Sequence, residues 1–275
     1  MKLTLTFLLL AFLGITLNLK SHPSQPALQA SSPNGVRTPV IVELFTTEGC
    51  SSCPPADALL AKLDSEQPLP DAEVIALEEH VDYWNEGGWF DPFSSSEWTL
   101  RQQEYAADLK SGQTYTPQMI VNGTMQFVGN RTGEAVQNIK KAAATPGVPV
   151  SIKVARVSPK SASGVAVTVG KLDVAAQNSS ADIWLVVTEK NLHSNVKAGE
   201  NSGSDLHHAP VVRSLRKIGT IDRGKDTGFS GTQSVSLNSK WKLENVRLVV
   251  FVQERKSRRI LGATSTSLNA TTPQA

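Results

Sequence analysis

The 275 residues can bury a substantial core without disulfide staples, as one large domain or two ordinary ones. Lys and Arg number 27 against 25 Asp and Glu, and Lys2 and Lys20 lie in an N-terminal stretch without acids, so the remainder is neutral. That balance argues against nucleic acid or an anionic membrane surface as the main partner.

Lys2 opens an apolar run from Leu3 to Leu17 that is shorter than the roughly 18–20 residues of a membrane span. It suits the core of a signal peptide, assigned to residues 1–30, with an uncleaved anchor as the alternative. Residues 31–38 complete a Ser-, Pro- and Gln-rich flexible leader. The expected location is periplasmic or secreted, with no stable membrane partner beyond the signal segment. In such an oxidising compartment thiols are either kept reduced by a partner or work as a disulfide.

Pro39–Phe45 reads as a buried strand, and Ala56–Leu63 as a helix with Pro54 and Pro55 in its first turn. Glu73–Leu77 suits a buried parallel strand. Ser96 is placed to cap a helix from Glu97 to Lys110. The apolar runs 118–121 and 124–128 flank Asn122-Gly123, a hairpin signal, and Thr132–Ala144 reads as a closing helix. This order predicts a thioredoxin-like α/β domain over residues 39–146. From Val148 the texture becomes short, β-branched runs at 150–157, 164–172, 183–188, 233–237 and 247–252. They predict a smaller all-β, sandwich-like domain over 147–268, followed by a tail at 269–275. The basic run Arg255–Arg259 reads as a solvated hairpin turn.

Cys50 and Cys53 are the only cysteines, spaced Cys50-Ser51-Ser52-Cys53 between the first strand and helix. A helix N-terminus stabilises a thiolate, and two intervening residues let one sulfur resolve a mixed disulfide made by the other. Cys50 is expected to be the exposed attacking sulfur and Cys53 the resolving one, while Glu48 opposes thiolate formation. A purely structural disulfide is the bland alternative. Tyr115-Thr116-Pro117 stands before the hairpin, where a thioredoxin fold places a cis-proline facing the cysteines. Thr116, Pro117 and Tyr115 are therefore candidate substrate contacts, or else Pro117 is an ordinary trans residue opening a strand.

The motif Val42-Glu43-Leu44-Phe45-Thr46-Thr47-Glu48-Gly49-Cys50-Ser51-Ser52-Cys53-Pro54-Pro55-Ala56-Asp57 resembles the opening signature of the secreted bacterial thioredoxin-like proteins grouped as domain of unknown function 1223. His80-Val81-Asp82-Tyr83-Trp84, Gly88-Trp89, Asp91-Pro92-Phe93, Tyr115-Thr116-Pro117-Gln118, Gly199-Glu200-Asn201 and Val211-Val212-Arg213 resemble its further signatures. The resemblance implies a thioredoxin-like domain, a β domain and export, and no established substrate.

Ordinary thioredoxins carry an aromatic before the first cysteine and Gly-Pro between the two, where this chain has Gly49 and Ser51-Ser52. Glu43, seven positions before Cys50, is a candidate proton acceptor for Cys53, or a strand acid satisfied by backbone. Trp84, Trp89 and Phe93 either wall a substrate site, with Trp84 as a contact, or pack their loop. His80 is a proton donor, a third metal ligand or hydrogen-bonded structure. His193, His207 and His208, with Asp205 and Glu200, fall in a polar stretch that could hold a metal or fold over the neighbouring half to shape a cleft.

The favoured reading is an exported thiol–disulfide oxidoreductase. It would act without a cofactor on protein or small-molecule disulfides, supported by a redox partner. The alternatives are a copper(I)-handling protein using Cys50, Cys53 and His80, since soft thiolates select copper(I), and a non-catalytic binding protein.

Overall fold

A computed structural model describes residues 37–172, 179–225 and 227–268. The expected signal peptide, residues 31–36 of the leader and the tail at 269–275 lie outside the described residues.

The first stretch forms β1 (Thr38–Thr46), α1 (Pro54–Glu66), β2 (Ala72–His80), α2 (Ser96–Asp108), β3 (Gln118–Val121), β4 (Met125–Val128) and α3 (Thr132–Ala143). The remainder is β5 (Val150–Ser158), β6 (Ser161–Val169), β7 (Ala181–Glu189), β8 (His193–Asn195), β9 (Asp205–His207), β10 (Val211–Ile221), β11 (Phe229–Ser236), β12 (Val246–Glu254) and β13 (Ile260–Ser267). Pro54 and Pro55 occupy the start of α1, where their missing N–H groups cost nothing. The cap of α2 is Ser95 rather than Ser96, its hydroxyl accepting the Glu97 N–H at 3.2 Å. At the β3–β4 turn Asn122 and Gly123 take positive φ, as the Asn-Gly signal requires. A side chain at Gly123 would also collide with the Arg258 carbonyl in the β12–β13 turn formed by the basic run.

The expected fold class, a thioredoxin-like α/β domain followed by a smaller all-β domain, is not what forms. Strand outweighs helix among the described residues, and eight strands from both stretches make one mixed sheet, ordered β13-β12-β7-β10-β2-β1-β3-β4. β2 is parallel to β1 on one side and meets β10 on the other through Val211 and Glu78. The Glu78 N–H donates to the Pro210 carbonyl at 3.0 Å. β10 thus meets β2 only near its buried C-terminal end, at Glu78. β5, β6 and β11 form a separate three-stranded sheet whose apolar side packs on β7 and β12.

Alternation along β1 and β2 sorts two faces. Val40, Val42 and Leu44 pack with Ala56, Leu60 and Leu63 of α1 and with Ile139 of α3. Ile41 and Phe45 point to the other face, where Trp98 and Tyr105 of α2 lie. On that second face Ile41, Ile75 and Leu77 share one core with Val186, Val212, Val249 and Phe251. The apolar seam therefore runs through both stretches without a break.

Candidate functional site

β1 ends at Thr46, and the turn 47–53 carries the chain into α1. Cys50 and Cys53 are joined there by a disulfide with a Cα–Cα distance of 5.4 Å. The Cys53 N–H donates to the Cys50 carbonyl at 3.1 Å, closing the turn. The Thr116–Pro117 bond is cis. The Thr116 carbonyl oxygen lies 3.9 Å from Cys50 Sγ, and the Ser52 hydroxyl lies 3.2 Å from the same sulfur. The fold thus brings Cys50, Cys53, Thr116 and Pro117 together. Trp84 joins them through the backbone: a Cβ at Gly49 would stand 3.3 Å from Trp84 Cβ. Tyr115 turns away, its hydroxyl donating to Gln126 at 2.6 Å.

Two expectations about this site are corrected. Cys50 is only 1% exposed and Cys53 fully buried, so the expected attacking sulfur is covered. Glu43 cannot serve Cys53, because it lies on the α2 face while Cys53 caps α1 on the other. Its carboxylate instead meets Arg101 Nη2 at 2.5 Å and Nε at 2.7 Å, and accepts the Tyr105 hydroxyl at 2.5 Å. Arg101 also stands 3.5 Å from Glu79, whose carboxyl is pushed well above its ordinary range by burial and by the nearby Glu43 charge.

The cover over Cys50 comes from far along the chain. Asn201 donates from Nδ2 to the carbonyls of Glu48 at 2.8 Å and Cys50 at 3.0 Å, and Glu200 accepts the Ser51 N–H at 2.9 Å. Gly199, at φ +75°, packs on Trp89. The polar stretch therefore does fold over the first half, as the second reading of it expected. Replacing Asn201 with Ala leaves two carbonyls without this donor, which costs about 1–2 kcal/mol of local closure. Reduction of the disulfide by dithiothreitol should then accelerate roughly 5–30-fold, read by alkylation of freed thiols. An unchanged rate would show that this contact does not gate the sulfur.

Beneath the turn, on the α1 face, lies a buried ionisable cluster. His80 ends β2, in register with Thr46 of β1, and its Nδ1 is 2.7 Å from Asp91 Oδ2. His208 Nε2 is 3.0 Å from Glu48 Oε1, and Trp89 Nε1 donates to Glu48 Oε2 at 2.7 Å. Phe93 stands edge-on to both imidazoles, with ring centres 5.5 and 5.1 Å away. Trp84, Trp89 and Phe93 therefore pack their loop rather than wall an open cleft. Burial opposes charge on His208, but the Glu48 and Glu78 carboxylates outweigh it and lift its pKa to about 10. Burial likewise opposes charge on Asp91, yet His80 and the N–H groups of Glu48 and Phe93 draw it down to about 2. Asp57, accepting the Thr46 hydroxyl at 2.6 Å, is raised well above the usual range by burial and by Glu78.

The copper(I) trio Cys50, Cys53 and His80 is not assembled. The sulfurs are bonded to each other, and the free His80 nitrogen faces Glu78 and His208. His193 and His207 are exposed beside Asp205 on the β8–β9 hairpin, apart from the buried cluster. Sequence reading missed Glu78, Asp57, Asp91 and Arg101 as site neighbours. Their signal was charge placed inside or beside apolar runs, which is unusual enough to demand a partner.

Among known proteins, the family described as protein of unknown function (DUF1223) matches residues 41–253. No curated protein matches. Among solved structures, the chain resembles protein AGR_C_4864 from Agrobacterium tumefaciens at 28% identity and TM-score 0.62, covering 88% of this chain and 100% of that one. A domain of the outer membrane lipoprotein Omp28 from Porphyromonas gingivalis is 10% identical with TM-score 0.26, covering 45% of this chain and 88% of that one.

Proposed function

The chain belongs to the family of unknown function DUF1223, and from its site we propose that it is an exported thiol–disulfide oxidoreductase working through Cys50 and Cys53. The observation that carries this reading is the disulfide at the β1–α1 junction with the cis Thr116–Pro117 carbonyl 3.9 Å from Cys50 Sγ. A purely structural bridge across three residues would constrain the unfolded chain little. In the oxidised protein a substrate thiolate attacks Cys50 Sγ. The Cys50–Cys53 bond breaks, Cys53 leaves as a thiolate, and a mixed disulfide forms. A second substrate thiolate then attacks the substrate sulfur of that mixed disulfide. This releases Cys50 as a thiolate and leaves the substrate oxidised by two electrons. The reverse sequence reduces a substrate disulfide, and the relative potentials set the direction. Export, expected from the N-terminal apolar run, supplies the disulfide-rich surroundings such chemistry serves.

The burial of Cys50 adds one requirement. The Glu200–Asn201 cover or the Trp84 loop must move before a protein substrate reaches the sulfur, so substrate binding and opening are coupled.

The test is a Cys53→Ser variant, which lacks the resolving thiol and should accumulate mixed disulfides through Cys50 when offered glutathione disulfide or exported proteins. Dithiothreitol should release them, and Cys50→Ser should form none. If Cys53→Ser traps nothing and the wild type turns over no disulfide substrate, the reading fails.

A further inference from the structure

Glu78, His80 and His208 each leave a ligand atom pointing at one common space. Glu78 Oε1 stands 3.7 Å from His80 Nε2 and 3.7 Å from His208 Nδ1, and all three atoms lie within 4.8 Å of one another. All three side chains are essentially buried, and none of these three atoms has a hydrogen-bond partner. Buried polar atoms without partners are uncommon, and three converging on one point call for an occupant.

The opposite ends of the two imidazoles are already held. Asp91 accepts at His80 Nδ1 and Glu48 at His208 Nε2. A carboxylate behind each histidine, fixing the ring and leaving the inward nitrogen free, is the outer shell that metal-ligating histidines carry. Among the described residues, the ion pairs of Glu48, Glu78 and Asp91 are with His80 and His208 alone, so no Lys or Arg neutralises this acid-rich pocket.

We infer that Glu78, His80 and His208 form a binding site for a divalent first-row transition ion of the zinc type. Donors about 2.0–2.2 Å from a tetrahedral ion stand roughly 3.4 Å apart, so the two 3.7 Å separations need only a slight contraction. Two imidazoles and a carboxylate suit zinc rather than calcium or magnesium, which prefer all-oxygen shells, or copper(I), which prefers sulfur. Three protein donors leave a fourth position open. The ion would pin the end of β2 to His208, beside the segment whose Asn201 holds the Cys50 carbonyl. This site is separate from the copper(I) arrangement considered from sequence, uses neither cysteine, and does not depend on the disulfide chemistry.

The test uses the full chain with its disulfide intact. It is unfolded with chelator, refolded without metal, and titrated with Co²⁺ and then Zn²⁺ while visible absorption, bound metal and Tm are followed. One equivalent of Co²⁺ should give the d–d bands of a four-coordinate site without thiolate charge transfer. Zn²⁺ should displace it, and Tm should rise. His80→Gln and His208→Gln should each abolish stoichiometric binding. Asp91→Asn, which keeps all three ligands, should weaken it about 10–100-fold. A Cys50→Ser/Cys53→Ser double variant should bind as the wild type does. The inference is overturned by failure of the wild type to take up one equivalent. It is equally overturned by full binding in His208→Gln that also persists undiminished in Asp91→Asn, or by loss of binding in the cysteine double variant.

Discussion

Replacing Arg101 with Met should destabilise the protein by about 3–5 kcal/mol, the penalty for stripping a buried ion pair of one partner. Arg101 is the cation between Glu43 and Glu79, both fully buried, and it also donates to Tyr105 at 3.1 Å. Without it the two carboxyls face each other across neighbouring strands with no positive charge between them. Tyr105 keeps its bond to Glu43 and accepts from Gln253 at 2.8 Å, so the hydrogen-bonded part of the network survives. The charge therefore accounts for the loss. Arg101→Lys should cost less while still weakening the fold, because an ammonium cannot engage Glu43 through two nitrogens and reach Glu79 as well. Urea unfolding of the three proteins measures this, and a loss below about 1 kcal/mol for the Met variant would mean that water compensates the acids.

Phe251→Ala should cost a further class of stability, about 3–5 kcal/mol, by opening a cavity in a filled core. Phe251 is fully buried on β12, in the seam it shares with Ile41, Ile75 and Leu77 of the first stretch. The informative result is its reach. Because one sheet carries both stretches, β1 and β2 should lose hydrogen-exchange protection at the same denaturant concentration as β7 and β12. If peptides from β1 and β2 keep wild-type protection while β7 and β12 open, the halves unfold independently.

Local readings of the sequence fared well. Pro39–Phe45, the proline-led helix, the Asn122-Gly123 hairpin and the basic turn at 255–259 all fall where their residues place them. Each rests on chemistry confined to a few neighbours: missing N–H groups, positive φ, a period of two. β10 escaped notice because Arg213, Ser214, Arg216, Lys217 and Thr220 interrupt its apolar residues. The C-terminal end of β2 runs three residues past the expected Leu77, because Glu78, Glu79 and His80 look like the start of a loop. Burial of all three follows from neighbours that no local window contains.

The site divides in the same way. Cys50 and Cys53 between a strand and a proline-led helix, and Thr116-Pro117 before a hairpin, were legible as neighbours because their placement at the ends of adjacent strands is itself the signal. Glu43 was misassigned by one step of alternation, which sends it to the α2 face. His208 and Asn201 were visible only as polar residues in a long stretch, since Glu48 is 160 positions from His208 and 153 from Asn201.

By itself, then, the sequence determined that a cysteine pair sits at a strand–helix junction and that its flanking elements take the order they do. Tertiary structure alone decided that β10 joins β2 at Glu78, that Asn201 covers Cys50, and that Glu78, His80 and His208 converge beneath the disulfide. The physical reason is range. Propensity, capping and turn geometry act over a few residues, whereas buried charge and an open strand edge find partners by free energy of the whole fold, wherever in the chain those partners lie.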